Sequence, residues 1–497
     1  MADPVSYAVG SAVLTATGSF AVASTAATIA YVAVIAAPIV ASVVVSERQR
    51  RAASNARGLV NDDRALQQAI PKAAPEHMLL LGYAHIAGTP FFVRGNEDTR
   101  PYYYRGVLLA AHECDGLDSV WINGTRVFID DDGYAISTPF NDGSTQFIRV
   151  SFRSGTLAQA IDTILNADFT LPSTYRQRGH ATAVIKAHYG ADDDKHRELY
   201  GDGDFNPLFR VRGAKVFDPR GLNQSIGDAS SWAWSRNAAL NAAHYLCWIY
   251  PGMRSRLDWD RIGEAADVCD RVVWTKAGDP IAQFTLDGAI LSSDPVPDAV
   301  SDLLSACGGR LIRRAGKYYI RPAQRETSTG TLHAGNLRGS VQYSNGLPVG
   351  QLSNTLNPEF MSPERGYKIV PGPVISDSAD VTADGQERAR TERYPFSETW
   401  PRVARLATIE YREGRAQETV TCGVDISARG WDAGRVITLD LGQFNSRLTG
   451  LWRIVRKAWS DGLMGYVLEL RRYDDTAYDF TPSSDEADFT IDEDSDL

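Results

Sequence analysis

Apolar and polar residues alternate in the first part of the folded chain, which predicts a β-rich unit. Ile148 and Val150 are each followed by a polar residue, and a period of two is typical of a strand with one buried face. Two short apolar runs flank Asn123 and Gly124, a dipeptide that favours a tight hairpin turn. We therefore predict a first β unit over residues 65–212.

The pattern changes to helical spacing in the middle of the chain. Three groups of apolar residues recur three or four positions apart, as on one face of a helix. These groups are Leu240, Ala243 and Cys247, then Ile262, Ala266, Cys269 and Val273, and then Val300, Leu303, Leu304 and Cys307. Ser235 is predicted to cap the first helix. With a hairpin expected at Ala315 and Gly316, residues 213–335 are predicted to form an α+β middle unit.

Strand-like alternation returns near the C-terminus. Ile437 and Leu439 alternate with polar residues, and Gly, Asp and Ser separate the next apolar runs. We predict a closing β unit over residues 336–480. Residues 481–497 are acidic and are predicted to form a disordered tail.

The N-terminal segment, residues 1–64, has a different composition. Residues 4–46 contain no charged side chain, and residues 27–45 would span about 28 Å as a helix, close to the thickness of a bilayer core. Three interpretations compete: a secretory signal, a transmembrane anchor and an apolar segment that associates with other chains. The signal is disfavoured because the start, Met-Ala-Asp, carries no positive charge.

Small side chains favour the self-associating interpretation of this segment. Ala, Ser, Thr and Gly are abundant, and such residues let helix backbones approach closely. Pro38 would kink or break a membrane-spanning helix. The candidate contact positions are Ala27, Ile29, Val32, Ile35, Ile39 and Val43.

Charge and motif content limit the function classes. The chain has 51 Lys and Arg against 61 Asp and Glu, a net charge of −10, which disfavours binding to nucleic acid phosphates. The cysteine number is five, without a CxxC spacing, so neither a disulfide framework nor a zinc ribbon is expected. No nucleophile elbow or phosphate-binding loop occurs in a suitable context. We predict no cofactor, no metal and no catalytic site.

An enzyme nevertheless remains an alternative. Carboxylate pairs that cleave glycans come from distant positions and leave no local signature. Five tryptophans cluster in the middle of the chain, where they fit a core or a subunit interface better than a sugar platform. They are Trp232, Trp234, Trp248, Trp259 and Trp274.

Several stretches, in order, resemble one protein family. The most specific are Gly-Ala-Lys-Val-Phe-Asp-Pro-Arg at residues 213–220 and Trp-Ala-Trp-Ser-Arg-Asn-Ala-Ala-Leu at residues 232–240. They are similar to the central hub of phage tail tips, the core of lambda-type host-specificity (J-like) proteins, which is also found in gene-transfer-agent baseplates. The matching residues are Asp218, Pro219, Arg220, Trp234, Ser235, Asn237 and Leu240. Ala238 replaces the usual Pro and His244 the usual Asp.

The resemblance extends over about residues 76–480. Residues 79–88 and 116–124 resemble the opening barrel of the family, although the usual Tyr before Gly82 is missing. Residues 434–441, 451–455 and 468–478 resemble its closing barrel.

The resemblance implies a fold and a location. The expected fold is α+β and mostly β, with two tail-tube-like β-barrels flanking an α+β middle, preceded here by an apolar N-terminal helical segment. Hubs of this family are usually homotrimers that close the tail tube and open for genome ejection. The protein would lie in the tail tip of the virion, which is assembled in the cytoplasm of the bacterial host.

The resemblance also implies partners. These are distal tail or tail-tube proteins, the tape-measure protein and separate receptor-binding or fibre proteins. DNA would pass through the channel without specific binding, and the apolar segment would make transient contact with the host membrane. The alternatives are a tail-associated cell-wall hydrolase and a bacterial membrane-anchored β-rich protein.

Overall fold

A computed structural model describes residues 77–95, 102–190, 193–201, 205–346, 352–363 and 367–489. Strands outnumber helices in these ranges, so the described fold is mostly β. The apolar segment at residues 1–64, with its six candidate contact positions, lies outside them. Within the described ranges, no helix is both long and apolar enough to cross a membrane.

The first β unit consists of two sheets packed face to face. Its elements are β1 Met78–Leu81, β2 Tyr83–Ile86, β3 Thr89–Gly95, β4 Tyr102–Ala110, β5 Cys114–Ile122, β6 Thr125–Val127, β7 Ile148–Arg153, α1 Thr163–Asp168, β8 Ala181–His188, α2 Asp193–Tyr200 and β9 Pro207–Val216. One sheet has the order β3-β4-β8-β7, and the other contains β6, β5, β9 and β2. The predicted hairpin is confirmed, because Asn123 and Gly124 join β5 to β6 with φ of 48° and 83°.

Alternate residues of both sheets meet in one core. Val107 from β4 and Ile185 from β8 are fully buried in the same cluster as Val120 from β5 and Phe209 from β9. This inward alternation is what the period of two predicts for packed sheets.

The middle unit combines helices with short hairpins. Its elements are β10 Ala233–Trp234, α3 Ala238–Ile249, α4 Met253–Arg256, α5 Trp259–Asp270, β11 Val272–Trp274, β12 Pro280–Ala282, β13 Gly288–Leu291, α6 Val296–Ser305, β14 Arg310–Arg314 and β15 Lys317–Arg321. Helix α5 ends at Asp270, so Val273, predicted on this helix, lies in β11 instead. The predicted hairpin at Ala315 and Gly316 is confirmed, with φ of 48° and 84°.

Strand β1 lies between the first two cores. It pairs with β13 of the middle unit, and its three leucines have no exposed surface. Leu79 and Leu81 pack in the core of the middle unit, whereas Leu80 packs in the core of the first β unit. Because successive side chains of a strand point to opposite faces, one strand serves two cores.

The closing part of the chain contains a curved sheet and a second layer. Its elements are β16 Thr331–His333, β17 Leu337–Ser344, β18 Thr355–Ser362, β19 Lys368–Pro371, β20 Ile375–Ser376, α7 Ser378–Asp384, β21 Ala389–Tyr394, α8 Trp400–Arg415, β22 Thr419–Val424, β23 Val436–Asp440, β24 Thr449–Ser460, β25 Gly465–Arg472 and α9 Pro482–Asp485. Six strands form the sheet β16-β23-β24-β25-β22-β17. Its edge strands β16 and β17 are consecutive along the chain, with only residues 334–336 between them, so the sheet curls toward closure.

A segment within the predicted closing unit packs elsewhere. Leu356 and Phe360 of β18, with Val403 of α8, belong to the same buried cluster as Leu240 and Ile262 of the middle unit. The curved sheet has a separate core around Trp452. The layer formed by β18–β21 and α8 thus enlarges the middle unit, although its residues fall within the predicted closing unit.

The start of the predicted disordered tail is ordered. Trp400 Nε1 donates a hydrogen bond of 2.7 Å to the Ala487 carbonyl, and the Phe489 ring meets Phe360 edge-on and lies tilted against Trp400. Lys276 pairs with Asp488 at 2.7 Å. Residues 481–489 therefore cover the start of α8, and residues 490–497 lie outside the described ranges.

Candidate functional site

The seven residues of the resemblance lie where the first β unit joins the middle unit. Strand β9 pairs with β2 and β5 of the first β unit, and its last residues pair with β10 of the middle unit. Asp218, Pro219 and Arg220 follow the end of β9, and Trp234 lies in β10. The structure therefore brings these residues to one junction.

Arg220 links the turn after β9 to helix α5. Its guanidinium contacts both carboxylate oxygens of Asp218, at 2.9 and 2.7 Å. It also donates to Asp267 at 2.9 Å and to Asp270 at 2.8 Å. A Cβ on Gly263 of α5 would lie 3.5 Å from both Pro219 and Arg220, so the turn packs directly on the helix. Arg220 lowers the pKa of Asp218, against the effect of burial, so this carboxylate stays charged.

Asn237, not Ser235, caps helix α3. The Asn237 Oδ1 accepts hydrogen bonds from the backbone N–H groups of Ala239 and Leu240, at 3.1 and 3.2 Å. Its Nδ2 donates to the Ala266 carbonyl of α5 at 2.9 Å. Ser235 lies two residues earlier and accepts from the Asn237 N–H, so the predicted cap was wrong by two positions. Only the tertiary contact with α5 distinguishes these two good capping residues.

Trp234 and Leu240 complete the junction. Trp234 Nε1 donates a hydrogen bond of 3.0 Å to the Gly82 carbonyl of the first β unit, and its ring meets Tyr83 edge-on. Gly82 has φ of 56°, and a Cβ there would lie 2.0 Å from the Leu286 carbonyl oxygen, so only glycine fits. Leu240 is 2% exposed in the core of the middle unit.

A buried ionic cluster at the same junction has no local sequence signal. Arg236 contacts both oxygens of Asp287, at 2.8 and 2.6 Å, and lies 3.3 Å from Glu398. Arg210 of β9 lies 3.7 Å from Glu398. These residues are far apart along the chain, so only the fold identifies them. We call Arg236, Asp287 and Glu398 the Arg236 cluster.

Burial and a second carboxylate shift the pKa of Glu398 in the Arg236 cluster. Burial and the neighbouring Asp287 charge raise the pKa of Glu398 to about 7, against the effects of Arg236, Arg210 and Arg402. Burial and Arg236 lower the pKa of Arg402 to about 10. Glu398 can therefore change its charge near neutral pH, whereas Asp287 anchors Arg236 and accepts from the Tyr83 N–H at 2.9 Å.

The contacts at the junction hold neighbouring elements together. All five cysteines are buried and free. Across the described residues, no three His, Cys, Asp or Glu side chains lie together as metal ligands would. Of the tryptophans, Trp232 is 9% exposed and packs against Phe217 and His244, whereas Trp274 is 60% exposed.

Comparison with solved structures finds proteins of similar fold. The fold is similar to that of a chain in the "virion of native gene transfer agent (GTA) particle", at 15% identity and a TM-score of 0.56, over 86% of this chain and 90% of that one. At this identity the match shows a shared fold only. No protein-family model matches the chain, and no curated protein matches it.

Two further structural matches are tail proteins. One is the tail protein from Neisseria meningitidis MC58, at 14% identity and a TM-score of 0.32, over 81% of this chain and 99% of that one. The other is the 43 kDa tail protein of prophage MuSo2 from Shewanella oneidensis, at 13% identity and 0.30, over 81% and 100%.

Proposed function

We propose that the chain is a structural virion protein, the trimeric central hub of a phage tail tip or baseplate, which closes the tail tube and opens for genome ejection. The observation that carries this proposal is the fold shared with a chain of a gene transfer agent virion over 86% of the sequence. The residues that resemble the hub family provide independent support, because they gather at one structural junction.

The arrangement of the β units fits such a hub. A two-sheet unit and a curved six-stranded sheet lie on either side of the middle unit in the chain. Three copies would present six β units to a sixfold tail tube. The proposed neighbours are distal tail or tail-tube proteins, the tape-measure protein and separate receptor-binding or fibre proteins.

The charge of the chain fits passage of DNA without binding. A net charge of −10 per copy repels phosphates, so DNA in the channel would slide past without specific contacts.

The apolar N-terminal segment is assigned to the axis of the ring. Three copies would bundle through Ala27, Ile29, Val32, Ile35, Ile39 and Val43 and close the channel or meet the end of the tape-measure protein. They would contact the host membrane transiently at ejection. A chain without residues 1–50 should assemble into particles that eject DNA poorly, and normal ejection by those particles would contradict this assignment.

The decisive experiment is electron cryomicroscopy of the assembled particle. We expect three copies of the chain on the tail axis. One or six copies, or a position away from the axis, would contradict the hub. Release of glycan fragments from purified peptidoglycan by the full chain would instead support the hydrolase alternative.

A further inference from the structure

The chain contains two Asn-Gly dipeptides, and the fold holds their side chains differently. One is Asn123-Gly124, at the turn between β5 and β6, and the other is Asn345-Gly346, directly after β17. Both asparagines are exposed. Access to water therefore does not distinguish them, and a difference in their chemistry has to come from the contacts of each amide.

An asparagine followed by glycine can lose its side-chain amide without an enzyme. The backbone nitrogen of the glycine attacks the asparagine Cγ, so that a new C–N bond forms and the bond from Cγ to Nδ2 breaks. Nδ2 leaves as ammonia and takes the proton of the attacking N–H. Water then opens the cyclic imide to aspartate or isoaspartate. Glycine favours the attack because it has no Cβ to hinder the approach of its nitrogen.

The fold holds both polar atoms of the Asn123 side chain. Its Nδ2 donates a hydrogen bond of 2.7 Å to the carbonyl of Tyr200, the last residue of α2. Its Oδ1 accepts a hydrogen bond of 2.7 Å from the N–H of Asn206, just before β9. Closing the imide would expel Nδ2 and turn the side chain toward its own main chain, against the stabilisation that these two hydrogen bonds provide. Both contacts therefore oppose the reaction at Asn123.

The contacts of the Asn345 amide, within the described ranges, are at its oxygen. Oδ1 accepts a hydrogen bond from the Arg447 guanidinium and lies 3.1 Å from the Tyr343 hydroxyl. These contacts leave the departing Nδ2 unrestrained. A cation at Oδ1 also stabilises the negative charge that develops on this oxygen when the Gly346 nitrogen attacks Cγ. Arg447 therefore favours the reaction rather than opposing it.

The main chain at Asn345 leaves room for the attack. The pairing of β17 with β22 ends at Ser344 and Thr419, so Asn345 and Gly346 lie beyond this ladder. A Cβ on Gly346 would have Gln417 Oε1 as its nearest described neighbour, at 3.5 Å, which is an ordinary contact. The dipeptide is thus neither paired in the sheet nor crowded.

We propose that Asn345-Gly346 is a site of spontaneous deamidation, whereas the fold protects the identical dipeptide at residues 123–124. The product has a new carboxylate beside Arg447, at the end of an edge strand of the curved sheet. An isoaspartate product also lengthens the main chain there by one carbon atom. The inference does not depend on the proposed hub function, because the chemistry takes place within one chain.

The test is peptide mapping by mass spectrometry after incubation of the full chain at mildly alkaline pH. The mass gain of amide-to-acid conversion reports each site, and chromatography separates isoaspartate from aspartate. In the native protein we expect Asn345 to react at least tenfold faster than Asn123. Incubation in urea removes the contacts of both amides, so the two rates should then become similar, because glycine follows both asparagines.

Gly346→Ala is the matched variant. Its new Cβ makes only an ordinary contact, so the variant should fold like wild type, which circular dichroism checks. We expect it to slow the reaction at Asn345 at least tenfold and to leave Asn123 unchanged. An unreacted Asn345 in native protein, equal native rates at the two asparagines, or a rate ratio that urea does not change would each overturn the proposal.

Discussion

Two clusters of arginines and acidic residues join the units of this protein, and one glutamate in each has a pKa shifted in the opposite direction. In the Arg236 cluster, burial and Asp287 raise the pKa of Glu398 to about 7. At the other end of α8, burial would also raise the pKa of Glu413, but Arg310 and Arg453 hold it well below its usual range. We call Glu413, Arg310, Arg453 and Tyr478 the Glu413 cluster.

Geometry explains the difference. Glu413 lies 2.8 and 2.9 Å from two arginines and accepts a hydrogen bond from the Tyr478 hydroxyl. Glu398 lies 3.3 Å from an arginine that already holds Asp287. The balance of neighbouring charges, more than the presence of an ion pair, thus sets the charge of a buried carboxylate.

The largest expected effect comes from removing the charge of Glu413. Glu413→Gln leaves Arg310 and the buried Arg453 without their counter-ion, which should lower the free energy of unfolding by about 2–4 kcal/mol. Glu398→Gln at pH 7 should leave it unchanged or raise it, because the raised pKa of Glu398 means that the fold favours a neutral side chain there. Urea denaturation measures both.

The control for these two variants is Glu264→Gln, which changes an exposed carboxylate on α5. It should leave the urea midpoint unchanged. Equal losses for Glu413→Gln and Glu398→Gln would contradict the comparison between the clusters.

The second prediction concerns pH. A carboxyl group whose pKa is raised on folding stabilises the protein below its unfolded pKa, and this contribution is lost as pH rises through the folded value. Because the pKa of Glu398 rises from 4.5 to about 7, its contribution should decline between these pH values, by about 1–3 kcal/mol. The measurement is the difference in unfolding free energy between wild type and Glu398→Gln across this range.

Buried histidines change the unfolding free energy with pH in the opposite direction. Their effect cancels in the difference between wild type and Glu398→Gln. Burial lowers the pKa of His112 to about 4 and of His244 to about 3, and both residues are present in both proteins. Glu413 has a lowered pKa, so its contribution is lost only as pH falls below its unfolded value of 4.5. A difference curve that stays flat between pH 4.5 and 7 would rule out the raised pKa of Glu398.

The smallest expected effect comes from the hydrogen bond of Trp234, a contact between uncharged groups where the first β unit joins the middle unit. Trp234→Phe removes the hydrogen bond to the Gly82 carbonyl, which still accepts from the Gly213 N–H at 2.8 Å. The loss should be about 0.5–1 kcal/mol in thermal or urea unfolding. Trp274→Phe, at an exposed position, is the control, and an equal effect of both variants would show that Trp234 Nε1 contributes nothing.

The local features of the fold could be predicted from the sequence. The turns at Asn123-Gly124 and Ala315-Gly316 require positive φ, and the alternation around Val150 requires a strand. The mostly β character of the described residues also follows from these local patterns. The ionic clusters could not be predicted, because Arg236 and Glu398 are separated by 161 intervening residues and no pattern relates them.

The sequence by itself determined local features such as the turns at Asn123-Gly124 and Ala315-Gly316 and the strand around Val150, since backbone preference and apolar periodicity act over a few neighbouring residues. Only the tertiary structure decided that Leu79 and Leu80 belong to different cores, that β18 and α8 enlarge the middle unit, and that Asn237 rather than Ser235 caps α3. The tertiary structure also decided the charge states of Glu398 and Glu413. Burial and Coulomb interactions depend on distances in space, which the order of residues along the chain does not contain.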